Sequence, residues 1–201
     1  MMSGTAINYP IDIVIPWVDG NDTKWQKEKE NFQEQITNSV HSYNYKDWGF
    51  LKYWFRGIEK NALGIRYIFF ITWGHIPKWL NIKHPKIKVV KHEDYIPKKY
   101  LPTFNSHTIE LNLHRIHELS EHFVYFNDDT YLISRVSPDF WFKRGVPCDC
   151  AIINPIAPSN RNCISNLQLT TAAVINENFS KNDVIKNNFC KWFNLKYGNL
   201  L

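Results

Sequence analysis

IDIVIPWVDGND, residues 11–22, joins an apolar run too short for a helix to an immediate turn signal. It reads as a buried strand, Ile11 to Val18, that ends in a polar loop. Working outward, the same unit recurs. RYIFFITWG, closed by Gly74, predicts a second strand, KIKVV a third, and HFVYF, which runs into Asn127, Asp128 and Asp129, a fourth. Helical patterns lie between them. WQKEKENFQEQI is charged and only weakly amphipathic, whereas FLKYWFRGIEKNAL places Leu51, Trp54, Phe55, Ile58 and Ala62 on one face. SHTIELNLHRIHEL predicts a helix with Ile109, Leu113, Ile116 and then Leu119 or Ser120 inward, and Asn105 or Ser106 suits its N-cap. HIPKWLNI reads as a connector and YIPKKYLPTFNSH, with two prolines, as loop. CDCAIIN predicts a fifth strand, and TTAAVINENF and DVIKNNFCKWFNL predict closing helices. The alternation predicts an α/β fold, a mostly parallel sheet with helices on both faces, in a single domain over residues 1–201.

The chain's 201 residues suffice for one domain with a real core. Aromatic residues make up 15%, which excludes a disordered chain and supplies the rings that build cores and line sugar or nucleotide pockets. The net charge of +5 comes with lysines spread along the chain without a dense block, which suits an anionic ligand and gives no nucleic-acid signature. No stretch approaches the roughly 20 apolar residues of a membrane span, and MMSGTAINYP lacks the pattern of a signal peptide, so a cytoplasmic protein is expected. Cys148, Cys150, Cys163 and Cys190 do not form the paired C-x-x-C units of a zinc site and are expected as reduced thiols.

In parallel α/β sheets ligands bind outside the carboxyl ends of the strands. Three polar clusters fall there: DGND after the first strand, TWGH after the second and NDD after the fourth. Asp128 and Asp129 are the type of pair that holds a divalent cation. Adjacent strand residues point opposite ways, so both can face one ion only if the strand has ended and the chain has turned. The same residues also read as a plain polar turn. Gly20 suits a tight turn with positive φ, while Asp19 and Asp22 serve either a ligand or an Asx-type turn. His107, Glu110 and His114 share a helical stripe opposite the apolar face, without the H-E-x-x-H arrangement of a zinc site. Phosphate loops of the G-x-x-x-x-G-K-[ST] kind, G-x-G-x-x-G and the G-x-S-x-G elbow are absent. That argues against ordinary nucleoside triphosphatases, nicotinamide dehydrogenases and α/β-hydrolases.

IDIVIPWVDGND, the run from DWGFLKYWFRGIEKNALG to KHEDYIP, and LPTFNSHTIELNLHRIHELSEHFVYFNDD together resemble the first two conserved regions of the Stealth family, from about Ile11 to Leu132. That family comprises capsular and exopolysaccharide sugar-phosphate transferases and the catalytic part of the animal enzyme that puts GlcNAc-1-phosphate on lysosomal glycoproteins. The resemblance implies a Rossmann-like, glycosyltransferase-A-like fold. It implies transfer of sugar-1-phosphate from a UDP-sugar to a glycan hydroxyl with release of UMP, and Mg²⁺ or Mn²⁺ held by Asp128 and Asp129. It implies Glu110, Asp128 and Asp129 as catalytic residues and Asp19, Gly20 and Asp22 near the nucleotide. Asn105, Ser106 and His107 become pocket candidates, and Arg56 becomes a phosphate contact, against the alternative of a helix-surface salt bridge. It also implies work beside a membrane-bound polysaccharide assembly. Alternatives are a metal-dependent glycosyltransferase that releases UDP and a nucleotide-sugar binding module without turnover. Ile15-Pro16, Gly49 and Trp73 depart from the family pattern, and all 8 histidines precede Phe123, so the third-region histidine has no match here. The chain is therefore expected to be an N-terminal portion of a longer transferase.

Overall fold

A computed structural model of the chain describes residues 9–34, 45, 47–148, 156 and 163–189. By packing, the chain divides into two compact units, Met1–Cys148 and Asp149–Leu201.

The first unit is built on a four-stranded sheet of β1 (Ile11–Trp17), β2 (Ile65–Thr72), β3 (Ile87–Lys91) and β4 (Phe123–Tyr125) in the order β3-β2-β1-β4. Every pairing is parallel, as the alternation of strand and helix requires. Residues of β1 alternate between two apolar layers. Ile11, Ile13, Ile15 and Trp17 pack with Leu51, Trp54 and Ile58 of α2 (Leu51–Asn61), the face the helical spacing predicts. Val14 packs on the other side with Phe69, Ile71, Leu113 and Ile116. Helices thus cover both faces.

Two lengths set the position of the site. β1 pairs with β2 through Trp17↔Thr72, but with β4 only from Asp12 to Val14. Asp12 and Val14 present their backbone groups to the β4 side, through Asp12 N–H to His122 O and Phe126 N–H to Val14 O. Pro16 shares that parity, so its missing N–H falls where β4 has already departed and no ladder bond is lost. The chain leaves β2 and β3 on one side of β1 and β4 on the other, which makes the gap beyond Val14 a topological switch point.

The opposite end of β1 is tied by a buried carboxylate. Asp12 is fully buried and accepts from Arg66 Nε (2.9 Å) and Nη2 (2.6 Å), Tyr67 N (3.2 Å) and Ser120 N (2.9 Å). One side chain therefore joins β1, β2 and the turn that feeds β4.

The segment that follows β3 departs from the expected pattern. α3 (His92–Tyr95) is a short helix that precedes the expected loop and has no counterpart in the sequence reading, and α4 (Ser106–Leu111) stops within two turns. Asn105 caps α4, accepting from His107 N–H at 2.9 Å. Asn112 ends it: its Nδ2 donates back to Thr108 O, and its Oδ1 accepts from Arg115 Nε across a 3-10 turn, Leu113–Arg115. Asparagine's local hydrogen bonds outcompete the next helical turn. Leu113 and Ile116 still reach the core, but the His107, Glu110, His114 stripe is broken because His114 lies beyond the helix end. The unit also holds α1 (Thr23–Glu34) and a small antiparallel pair absent from the sequence reading, β5 (Phe142–Lys143) and β6 (Val146–Pro147). Arg144 and Gly145 both have positive φ between them, the geometry of a two-residue hairpin.

The second unit contains α5 (Cys163–Asn178) and α6 (Lys181–Asn187), with the Ser180 hydroxyl capping α6 through Asp183 N–H at 3.3 Å. Both helices overlap the expected ones. The expected strand CDCAIIN lies outside the described residues apart from Cys148.

Candidate active site

A cleft of about 500 Å³ opens beyond the carboxyl ends of β1 and β4. Its lining includes Trp17 at the end of β1 and Val18 just beyond it, Asp47, Trp48, Phe50 and Leu51 from the entry to α2, and Asp128, Asp129 and Tyr131 from the segment after β4. A second lobe of about 170 Å³ adjoins it, walled by Trp25, Phe104, Ile109 and Tyr125, with His92, Thr103, Ser106 and Asn127 as its polar groups. Trp17, Val18, Tyr45 and Asp128 line both lobes. Tyr45 is held between them by its hydroxyl bond to Phe104 O (2.8 Å) and by ring contact with Trp25.

The aspartate pair meets the geometric condition its sequence position set. β4 ends at Tyr125, and the chain turns at Asn127–Thr130, with Thr130 N–H bonding Asn127 O at 3.2 Å. Both aspartates then line the larger lobe. Desolvation by the cleft walls raises the Asp128 pKa above the usual carboxylate value although the residue is open to solvent, and the Asp129 and Asp47 charges add to the shift. Asp47 is a third acid that sequence reading did not select. Among the described residues no group of three or more His, Cys, Asp or Glu forms a ready-made metal cage. An adjacent carboxylate pair with a third acid near enough to repel it suits a hard cation such as Mg²⁺ or Mn²⁺, which keeps much of its shell for water and phosphate oxygens.

The other candidates divide between supporting the cleft and lying apart from it. Asp19 Oδ1 accepts from Asn21 N–H (2.9 Å), and Asp22 Oδ1 caps α1 through Lys24 N–H (2.8 Å) and Trp25 N–H (3.2 Å). The backbone bond to Trp25 is the leading cause that lowers the Asp22 pKa. His75, from the TWGH cluster, accepts from Asp19 N–H at Nε2 (2.8 Å), which puts its proton on Nδ1, 3.4 Å from Asp22 Oδ2. Burial lowers the His75 pKa, so a neutral imidazole braces the DGND loop against the end of β2. Neither aspartate lines the cleft.

Gly20 is required for a reason other than the expected one. Its φ is not in the left-handed region, but a Cβ there would collide with the Tyr45 carbonyl oxygen. Gly20→Ala must push Tyr45 away from the wall shared by both lobes. The expected cost is about 1–3 kcal/mol of stability, together with weakened ligand binding, read by thermal melting and calorimetry.

Glu110 lines neither lobe. It lies behind one, with Oε1 accepting from the Tyr125 hydroxyl at 3.0 Å. Burial, then the Glu110 charge, raises the Tyr125 pKa and keeps the phenol protonated as the donor in this pair. Ser106 lines the smaller lobe, while Asn105 is engaged as the α4 cap and His107 is exposed. Arg56 is exposed on α2 with its guanidinium 5.6 Å from the Tyr53 ring, outside both lobes and without a carboxylate partner among the described residues.

His92 carries no signal in the sequence. It begins α3 at the end of β3, is buried, and its Nδ1 has no hydrogen-bond partner among the described residues. Burial lowers its pKa to about 4, while an unfolded histidine titrates near about 6.5. The unfolded chain therefore takes the proton first as pH falls. The stability due to neutral His92 is complete above about 6.5 and is lost as pH drops towards about 4, on the order of 3 kcal/mol in all. Urea unfolding across that range should show the decline, and His92→Phe should flatten it.

A parallel α/β sheet with an acidic, aromatic-walled cleft at its switch point defines a protein of the Rossmann-like ligand-binding class. Within that class, residues 9–36 match the family model described as Stealth protein CR1, conserved region 1, and residues 44–148 match Stealth protein CR2, conserved region 2. The chain belongs to the Stealth family. It is 45% identical over 191 residues to the capsular polysaccharide phosphotransferase WcwK of Streptococcus pneumoniae, covering 94% of this chain and 57% of that protein. It is 41% identical over 195 residues to the capsular polysaccharide phosphotransferase CpsJ of Streptococcus thermophilus, covering 95% of this chain and 81% of that protein. The exopolysaccharide phosphotransferase cps2G of Lactiplantibacillus plantarum is 40% identical over 197 residues, 96% of this chain and 57% of its own length. The chain thus spans little more than half of WcwK and cps2G.

Proposed function

We propose that the cleft takes part in transferring sugar-1-phosphate from a UDP-sugar to a glycan hydroxyl during capsule or exopolysaccharide synthesis. The observation that carries this reading is the convergence of Asp128 and Asp129 on one wall of a cleft whose other walls are aromatic. Phosphoryl transfer asks a protein mainly for positioning and charge neutralisation. The acceptor oxygen bonds to the β-phosphorus, the bond from that phosphorus to the bridging oxygen breaks, UMP departs with that oxygen, and the hydroxyl proton is released. Asp128 and Asp129 would hold Mg²⁺ or Mn²⁺, which when bound neutralises diphosphate charge. Phe50 and Tyr131 offer faces for sugar rings, and Glu110 fixes the Tyr125 hydroxyl at the smaller lobe. The relatives' names as polysaccharide phosphotransferases support the same reading. On this reading a cytoplasmic reaction is expected, where UDP-sugars are made. No described helix is long and apolar enough to cross a membrane.

Product analysis with a UDP-sugar, Mg²⁺ and a glycan acceptor tests the reaction. UMP with a new phosphodiester is the expected outcome, whereas UDP would indicate glycosyl transfer, and binding without product would reduce the chain to a binding module. Because Glu110 acts through Tyr125, Glu110→Gln is expected to lower kcat about tenfold or more while leaving donor affinity within about twofold, measured by steady-state kinetics and calorimetry.

A further inference from the structure

The chain's positive charge is localised, contrary to the even spread that the sequence reading describes. Residues 78–99 contain seven lysines against Glu93 and Asp94, a net +5 that equals the excess of the entire chain. The rest of the protein is formally neutral. This segment is the sheet's β3 edge together with the stretches that lead into and away from it. Lys88 is paired with Glu118 at 2.9 Å and Lys91 with Glu93 at 3.3 Å. Lys78, Lys83, Lys98 and Lys99 are exposed and have no carboxylate partner among the described residues. Large apolar side chains are interleaved with them: Trp79, Ile82 and Tyr100 are each about half exposed.

Lysines on an edge strand serve to block edge-to-edge pairing, but that role does not call for exposed tryptophan, isoleucine and tyrosine beside them. Lysine ammonium groups with an amphipathic aromatic and short apolar anchors are the combination that holds a protein at a lipid headgroup layer. The charges meet anionic headgroups, and the rings settle at the boundary with the acyl chains. We propose that the β3 edge is a docking face for an anionic membrane surface. The attachment is peripheral and electrostatic, and it does not depend on the reaction assigned to the cleft. The larger lobe, with Asp128 and Asp129, lies two strands away, beyond β1 and β4, so docking leaves it open.

Co-pelleting of the full chain with lipid vesicles tests the proposal without substrate. Vesicles of phosphatidylcholine containing phosphatidylglycerol should carry the protein down, pure phosphatidylcholine should not, and salt near about 0.5 M should release it. The combined variant Lys78→Gln, Lys83→Gln, Lys98→Gln, Lys99→Gln should lower the partition coefficient at least about tenfold, and Ile82→Ser should lower it less, both with unchanged melting temperature. The lipid and salt comparisons use the unaltered protein and stand even if a variant fails to fold. Equal pelleting with neutral and anionic vesicles, pelleting with neither, an undiminished quadruple variant, or tighter attachment to RNA than to anionic vesicles at matched salt would each overturn it.

Discussion

Asp128→Asn is expected to lower turnover by about 100-fold or more while the melting temperature stays the same or rises slightly. The carboxylate sits beside Asp129 with Asp47 near, and its pKa is raised by desolvation and by those neighbours. Such a group is held against local electrostatic preference, so neutralising it relieves repulsion and costs the fold little. The same change removes the ligand that the proposed cation needs. The two effects separate in a binding experiment. Without divalent cation, the variant should bind UDP as well as or better than the parent, because one negative charge facing the diphosphate is gone. With Mg²⁺, the parent should tighten and the variant should not. Asp129→Asn should behave alike, since both aspartates line the same lobe. A variant whose nucleotide affinity still rises with Mg²⁺ to the parental level would falsify the assignment of the pair as the cation site.

Asp12→Ala is expected to destabilise the protein by about 3 kcal/mol, a fall in melting temperature of roughly 6–12 °C. Asp12 is fully buried and accepts four hydrogen bonds, two from Arg66 and two from backbone N–H groups on different segments. Its removal strands Tyr67 N–H and Ser120 N–H in the interior. Arg66, about one third exposed, can turn to solvent, so the loss arises chiefly at the backbone donors. Activity per folded molecule should be unchanged, because the hub and the cleft lie at opposite ends of β1, about 17 Å apart at 3.3 Å per residue. Chemical denaturation measures the first effect, and turnover normalised to folded fraction measures the second. A drop in specific activity with unchanged stability would contradict the placement of this hub.

Much of this architecture was legible before the structure. The apolar runs at 11–18 and 66–73 are short and bounded by turn residues, so they had to be strands. The helical spacing of Leu51, Trp54 and Ile58 had to face a core. Local hydrogen-bonding chemistry narrowed the cap of α4 to Asn105 or Ser106, and the structure selects Asn105. The same local logic failed at Asn112, where an identical side chain ends a helix instead of starting one. It failed at Gly20 too, because the contact that demands glycine there comes from Tyr45, 25 residues along the chain.

The pattern of apolar residues along this chain is enough to specify a parallel α/β sheet and to put acids at its carboxyl edge, since period and turn chemistry act within a few residues. Which of those acids meet in one cleft was decided by the early departure of β4 from β1. Packing likewise placed Glu110 behind Tyr125, engaged Asp19 and Asp22 in their own loop, and brought Asp47 opposite Asp128. Those outcomes depend on contacts between residues from 15 apart (Glu110 and Tyr125) to 111 apart (Asp12 and Phe123), for which a linear pattern contains no measure.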